Sequence, residues 1–477
     1  MGKLIPKIGL EIHLELGTKT KLFCNCLNNP DETEPNKNIC PICTGQPGVL
    51  PVLNKQAVIF AYSLAKALKM KINEVSIFAR KHYFYPDLPK NYQISQYETP
   101  LAVNGEIFVI RENFRKLVRI RRIHLEEDAA SNIHLQDYSL VDFNRSGVPL
   151  IEIVTEPDMN SAEEVVAFAE DLVLLIRYLK ISPASAEKGQ IRFEANISLA
   201  EGDKLGTKVE IKNIAKIQSL RSAVLTELKR QKELIERGEP IIQETRGYDE
   251  IRNITFSQRT KEEAHDYRYF PEPDLPPLII DEEIKNSVIL IETPWDKRLR
   301  LEKEYNLDLK TIFILTKDKF ISHFFEESFS ELYRLTNDFE QTKKLIVNFL
   351  VNDLIGLSEK YKLKISEDII HPHEFAHLIF NFYNGKISSK VVKEGLEKAI
   401  KGEDKIENII SQKEKISDAQ FLTEIIKEVI KENEKVVKDY LNGNLKSFEF
   451  LIGAVMKKTK GRADPILVRE ILKDTLK

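Results

Sequence analysis

The sequence predicts an α+β fold: a mixed sheet-and-helix domain over residues 1–292, an all-helical domain over 293–412 and a small helical tail over 413–477. Three observations predict it. Apolar and polar residues alternate strictly in several short segments before Ile280, the two-residue period of a half-buried strand. Past Pro277 the texture changes, and apolar residues recur at helical spacing with charges between them. All four cysteines fall in one early window, at Cys24, Cys26, Cys40 and Cys43.

The chain has 477 residues, enough for roughly two to four domains and an ample core. With 42% hydrophobic and 30% charged residues it has the composition of a soluble globular protein. The opening MGKLIPKIGLEIHLEL lacks the apolar stretch of a signal peptide, and no apolar run approaches the roughly 18 residues of a membrane span. The expectation is a cytoplasmic protein with no membrane association. A formal charge of −3 gives no bulk affinity for nucleic acid, but two local excesses exist. Arg111 to Arg122 holds six bases and one acid, and Leu441 to Lys477 holds eight bases and four acids. Either could meet phosphates; a solvated face is the plainer alternative.

The first strand is expected at Leu10–Leu16, where alternation puts Glu11, His13 and Glu15 on one face. The cysteines follow as C-x-C, thirteen residues, then C-P-I-C, around a polar, turn-rich loop with no core of its own. Two close thiol pairs can supply four ligands to one tetrahedral zinc, and the metal would substitute for the missing core. Disulfides or unpaired core thiols are the alternatives, the former disfavoured in a reducing compartment. A zinc with four sulfur ligands would be closed, hence structural. Lys81 to Gln93 is dense in aromatics, bases and prolines, suited either to stacking a nucleotide base or to packing rings into the core.

Directly after the basic run, His124-Leu125-Glu126-Glu127-Asp128 presents three consecutive acids. In Pro149–Val154, Glu152 sits in an otherwise apolar run. A buried carboxylate is costly unless it is paired, hydrogen-bonded or metal-bound, so Glu152 stands out. Ser161-Ala162-Glu163-Glu164 is a capping box opening a helix through Leu179. Ile191–Ser198 alternates again, grouping Arg192, Glu194 and Asn196, and Val209–Lys212 groups Glu210 with Lys208 and Lys212. Ser219 to Arg237 is a second helix, closed by Gly238. The prolines of His265–Pro277 suit an extended segment. Beyond it, Gln341–Tyr361 and Ser417–Leu441 are helical, with breaks at Asn384-Gly385-Lys386, Gly402 and Gly461–Pro465.

Several carboxylates and a histidine on one sheet face would repel one another without a cation. Hard oxygen donors with a little imidazole suit Mg2+ or Mn2+, ions that serve phosphoryl transfer. No G-x-x-x-x-G-K-[ST] occurs, so a nucleotide site here would not be a P-loop.

Taken in order, IGLEIHLEL, GQPGVLPVLNKQAV, KHYFYPDLPKNYQISQY, IHLEEDA, SLVDFNRSGVPLIEIVTEPD, ANISL, QETR and DYRYFPEPDLPP resemble the B subunits of bacterial aspartyl/glutamyl-tRNA(Asn/Gln) amidotransferases. NGKISSKVVKE and VMKKTKGRADPILV extend the resemblance more thinly to the end. It implies a cradle domain, a helical domain and a mobile tail. It also implies an activity: ATP- and Mg2+-dependent phosphorylation of the side-chain carboxylate of misacylated Glu-tRNA(Gln) or Asp-tRNA(Asn). Amidation by ammonia would follow. His13, Glu127 (or its neighbour Glu126) and Glu152 are the implied magnesium ligands and catalytic residues. Glu11, Glu194 and Glu210 are the implied second-metal or outer acids, with Arg192 beside them at the cofactor site. Lys457, Lys458, Lys460 and Arg462 would touch tRNA. A glutaminase A subunit and a small C subunit, in a heterotrimer, would complete the enzyme.

The chain departs from the family pattern at three places. Phe193-Glu194 stands where Cys-Asp is common, Ala130-Ser131 replaces a usual Gly-Lys, and Ile214-Ala215-Lys216-Ile217 replaces Leu-Asn-Ser-Phe. Two other readings stay open: a non-catalytic zinc-containing tRNA-binding module, and a stand-alone zinc hydrolase, which a closed four-thiolate site disfavours.

Overall fold

The computed structural model describes residues 3–202, 204–214, 216–260, 267–413, 419–441, 443–459 and 463–476. It divides into two compact units, Met1–Glu304 and Tyr305–Lys477.

The first unit is built on a nine-stranded sheet. Its centre is formed by β1 (Leu4–Glu15), β2 (Phe114–Glu127), β3 (Pro149–Thr155), β4 (Ile191–Glu201) and β5 (Val209–Ile214). Their order across the sheet is β5-β4-β1-β3-β2. Ala102–Arg111 and Lys71–Ile72 extend the β2 side, and Glu244–Asp249 and Ile254–Thr260 extend the β5 side. Pairing is antiparallel except between β5 and Glu244–Asp249. Alternation in β1 and β4 sends Leu10, Ile12, Leu14, Phe193, Ala195 and Ile197 into the core, none more than 1% exposed. Two helices, α1 (Ala162–Leu179) and α2 (Ile217–Glu236), pack on each other and on the sheet. Ser161 caps α1 as expected by accepting from Glu164 N, but the Glu164 carboxylate turns back to Asn160 N rather than to Ser161 N.

The basic stretch 111–122 forms the turn and outgoing strand of a hairpin, with Arg111 opposite Phe114. Every base in it faces a carboxylate: Arg111 meets Asp171, Arg115 Glu302, Lys116 Glu164, Arg119 Asp158, Arg121 Glu156 and Arg122 Glu152.

The first unit runs past the expected boundary at residue 292. Helix α3 (Pro294–Tyr305) starts the helical part of the sequence, yet it packs with the sheet domain. Trp295 is buried, and the buried Arg298 guanidinium donates to Asp171 on α1 at 2.7 Å. A buried charge needs its partner, so this pair ties α3 to the sheet domain.

The second unit is helical throughout its described residues and contains both regions that the sequence divides at 412/413. Helix α4 (Lys319–Thr336) packs against α5 (Pro372–Tyr383), with Phe324 meeting Phe375 edge-on at 5.2 Å between centroids. The expected helix over 341–361 is continuous but passes through a π-helical stretch, Asn348–Ile355. The last helices share a core of their own around Leu422, Ile426, Leu451, Val455 and Val468. Among the described residues, no helix is long and apolar enough to cross a membrane.

Candidate active site

The sheet register assembles the site. His13 on β1 lies opposite Arg192 on β4 and opposite Glu152 on β3, and Glu152 lies opposite His124 on β2. Residues directly across a sheet share a face, so these four form one row over four strands. The neighbouring row holds Glu11 opposite Glu194, and Glu210 pairs across from Asn196. Glu126, two residues beyond His124, points to the same face.

The distances are short. His13 Nε2 is 3.5 Å from both Glu126 Oε1 and Glu152 Oε2. His124 Nε2 is 3.4 Å from Glu152 Oε2 and 3.8 Å from Glu126 Oε2. Three sets gather metal-type donor atoms within 4.8 Å of one another: Glu11–His13–Glu152, His124–Glu126–Glu152 and Glu11–Glu194–Glu210. Lys212 donates to Glu194 at 2.8 Å, and Thr245 donates to Glu210 at 2.8 Å. Two buried polar atoms, His124 Nδ1 and Asn196 Oδ1, have no hydrogen-bond partner.

Electrostatics follow from burial and crowding. Burial pushes the Glu11 carboxyl up to about 7, and the nearby Glu152 and Glu194 charges add to the shift. Burial alone would lower His13, but its bond to Glu152 and the Glu152, Glu126 and Glu194 charges outweigh it and lift the imidazole to about 9. Burial opposes ionisation of Glu126, yet the Lys81 ammonium and the His124 bond bring it down to about 2. Against the same burial, His124 and His13 hold Glu152 well below the carboxylate range. Glu126 and Glu152 are thus ionised acids held by imidazolium and ammonium groups, while Glu11 keeps its proton up to about neutral pH. A divalent cation could take over that role from the imidazolium protons, so the donor set fits a hard ion.

The face opens on a cavity of about 540 Å3. Lys81, Tyr83, Tyr85, Tyr267, Arg145 and Arg192 are among its walls. Arg192 and Arg145 both clamp Asp128, at 3.1 Å each. The aromatic segment 81–93 thus supplies walls to the cavity. His265 and Asp266 lie outside the described residues.

Glu127 is not part of this set. It is the next residue after Glu126 along β2, so its side chain turns to the opposite face. There it accepts from Lys90 Nζ at 2.6 Å and from Ile94 N at 2.9 Å. Of the two neighbours the resemblance offers, Glu126 is the one that shares the face with His13 and Glu152. His124 and Arg145 also join the site, although the sequence alone gives neither a role there, and Lys81 and Asp128 join it from the aromatic segment and the acidic triplet.

The four cysteines do converge. All four sulfurs lie within 4.8 Å of one another, Cys43 Sγ being 3.9 Å from Cys40 Sγ and 4.0 Å from Cys26 Sγ. None forms a disulfide. The fully buried Lys21 places its ammonium 3.6 Å from Cys43 Sγ, and Cys40 N donates to the same sulfur at 3.2 Å. A hydrogen bond from Cys24 and the Lys21 charge draw the Cys43 thiol down to about 4 against burial. Gly147, at φ 84°, lets the backbone pass 3.4 Å from Cys43 Cβ, measured from where its own Cβ would stand.

Of the expected tRNA contacts, Lys457 and Lys458 end the helix Leu445–Lys458, and Lys458 pairs with Glu428 and Glu432. Lys460 and Arg462 lie outside the described residues.

Residues 6–286 match the family described as the GatB/GatE catalytic domain, and residues 328–476 match the family described as the GatB domain. Over its full length the chain is similar to curated relatives named as B subunits of aspartyl/glutamyl-tRNA(Asn/Gln) amidotransferase. The Persephonella marina protein is 43% identical over 99% of both chains. The Caldicellulosiruptor saccharolyticus protein is 44% identical over 98% of both. The Thermotoga maritima protein is 42% identical over 99% of this chain and 98% of its own.

Proposed function

Since the chain belongs to the family of aspartyl/glutamyl-tRNA(Asn/Gln) amidotransferase B subunits, we propose that its acid-and-histidine sheet face is where the tRNA-borne carboxylate is activated. The protein is one subunit of a tRNA-dependent amidotransferase, an enzyme of the ligase type that forms a carbon–nitrogen bond. A side-chain carboxylate reacts poorly with ammonia, because oxide is an impossible leaving group. Transfer of the γ-phosphoryl of ATP to that carboxylate gives an acyl phosphate, and ammonia then displaces inorganic phosphate to leave the amide.

The residues divide this work. His13, Glu126 and Glu152 would hold one Mg2+, with Glu11, Glu194 and Glu210 for a second. Bound there, the ion supplies charge neutralisation and polarisation of phosphate oxygens. His124 fixes Glu126 and Glu152 from behind. Lys81, Arg145 and Arg192 line the cavity as cations that anionic phosphate oxygens can approach. Tyr83, Phe84, Tyr85 and Tyr267 offer ring faces to a base. The cysteines suit a structural zinc, whose bonds of about 2.3 Å would set the sulfurs roughly 3.8 Å apart. With every cysteine in that cluster, ammonia comes from a partner: a glutaminase A subunit, with a small C subunit completing a heterotrimer. Lys457 and Lys458, with Lys460 and Arg462, would touch the body of misacylated tRNA(Gln) or tRNA(Asn). The whole would operate in the cytoplasm.

The observation that carries this reading is the row His13–Glu152–His124 closed by Glu126. A non-catalytic zinc-containing tRNA-binding module would leave these buried charges without a purpose. The test is Glu152→Ala in the assembled enzyme. ATP-dependent amidation of misacylated tRNA should be lost while tRNA binding survives; normal turnover would remove Glu152 from the mechanism.

A further inference from the structure

Four of the nine histidines lie between His323 and His377, well away in sequence from the chemistry of the sheet face. Two of them, His373 and His377, are one turn apart on α5 and share a helix face. Both approach one carboxylate on α4. His377 Nε2 is 3.3 Å from Glu331 Oε1, and His373 Nδ1 is 3.7 Å from Glu331 Oε2. Glu331 itself is only 8% exposed. The two imidazoles are more than half exposed, and a turn of the His373 ring off His371, on which it stacks at 5.3 Å between centroids, would bring both to one ion.

We propose that Glu331, His373 and His377 form a binding site for one borderline divalent cation of the zinc type, bridging α4 and α5. Imidazole suits Zn2+, Ni2+ and Cu2+, and two imidazoles against one carboxylate make a nitrogen-rich set, unlike the oxygen-dominated set of the sheet face. Two histidines four residues apart on a helix present both rings to one ion, and a carboxylate from the neighbouring helix makes a third ligand. Of the groups nearby, Arg334 competes with the ion for Glu331. Arg334 donates once to each Glu331 oxygen, at 2.7 and 3.0 Å, which leaves each oxygen a second lone pair. His371 is already engaged as the cap of α5, accepting from His373 N, while Glu374 accepts from His371 N. The site differs in chemistry from the four-thiol cluster, being open, half-exposed and built from nitrogen and oxygen.

The test uses the full chain with its four-thiol site already filled with zinc. Calorimetric titration with further Zn2+ should show one additional equivalent in the wild type. That event should vanish in His377→Ala and in His373→Ala, both safe changes on a helix surface, and weaken in Glu331→Gln. It should persist in His323→Ala, whose histidine pairs instead with Glu327. Co2+ in the added site should absorb weakly, without thiolate charge-transfer bands. No additional equivalent, equal binding in the wild type and both α5 variants, or thiolate bands from the added cobalt would each overturn the proposal.

Discussion

The two metal-type clusters of the first unit are built in opposite ways. The cysteine cluster is local: its four sulfurs come from Cys24 to Cys43, joined by one loop. The acid-and-histidine face is assembled from five strands, with side chains from Glu11 to Glu210, and only the sheet register brings them together. Four sulfurs would fill the positions of a tetrahedral ion, so the local cluster would be closed, with a buried lysine beside it. The long-range one is open, facing a cavity of about 540 Å3. A closed set can hold structure, whereas only an open one can hold a substrate. The sharpest break between them is a pair of substitutions. Glu152→Ala should lower amidation by at least about a hundredfold, the scale of losing one preorganised electrostatic contact, with little loss of fold. Cys43→Ser should do the reverse: unfolding shifts down by several degrees, while the protein that remains folded turns over. Thermal melts beside steady-state assays separate the two. Equal effects of both variants on turnover would erase the distinction.

The same contrast explains what the sequence reveals. The cysteines are legible because their spacing is their geometry. Glu152 is legible because a carboxylate in PLIEIVT has to be compensated. The alternation of Glu11, His13 and Glu194 is legible because strand faces have a two-residue period. His124 is hidden, since nothing in IHLEEDA says that β2 will lie beside β3. The choice between Glu126 and Glu127 is a matter of one residue, and one residue reverses the face. Lys81 and Arg145 come from segments outside the central strands, so only the folded chain brings them to the cavity wall. The tie between the first helix past residue 292 and the sheet domain is hidden for a related reason. Helical periodicity starts there, but the Arg298–Asp171 pair is a long-range contact.

A pH experiment sharpens the comparison within the open face itself. Burial, with the Asp128 charge beside it, pushes the Glu15 carboxyl up to about 8, against the pull of Arg145 and Arg192. Unfolded, the group ionises near its ordinary value, about 4.5. Between those values the folded chain keeps a proton that the unfolded chain has released. Stability therefore falls as pH rises through this window and levels off above about 8. Glu15→Gln should remove that dependence. Its melting temperature should match the wild type near pH 4.5 and exceed it increasingly up to pH 8, as thermal melts across the window would show. A constant difference at all pH values would mean that Glu15 is ionised throughout.

The smallest expected effect concerns the basic hairpin, which by charge alone resembles a phosphate-binding surface as much as the tail does. Arg119 donates to Asp158 at 2.6 and 2.9 Å, and Arg121 to Glu156 at 2.8 and 2.9 Å. Both arginines are more than half exposed. Pairs of this kind contribute less than about 1 kcal/mol to stability. Each of these guanidiniums has a carboxylate of its own, so the two pairs are neutral, unlike Arg145 and Arg192, which share Asp128. Replacing both arginines with glutamine should change neither the melting temperature by more than a degree or two nor the affinity for tRNA. The decisive readout is the salt dependence of tRNA binding. Each lost phosphate contact would lower the slope of log affinity against log salt by roughly 0.7 to 0.9, so an unchanged slope means the hairpin's positive charge is spent within the fold. A lower slope would make the hairpin part of the tRNA surface.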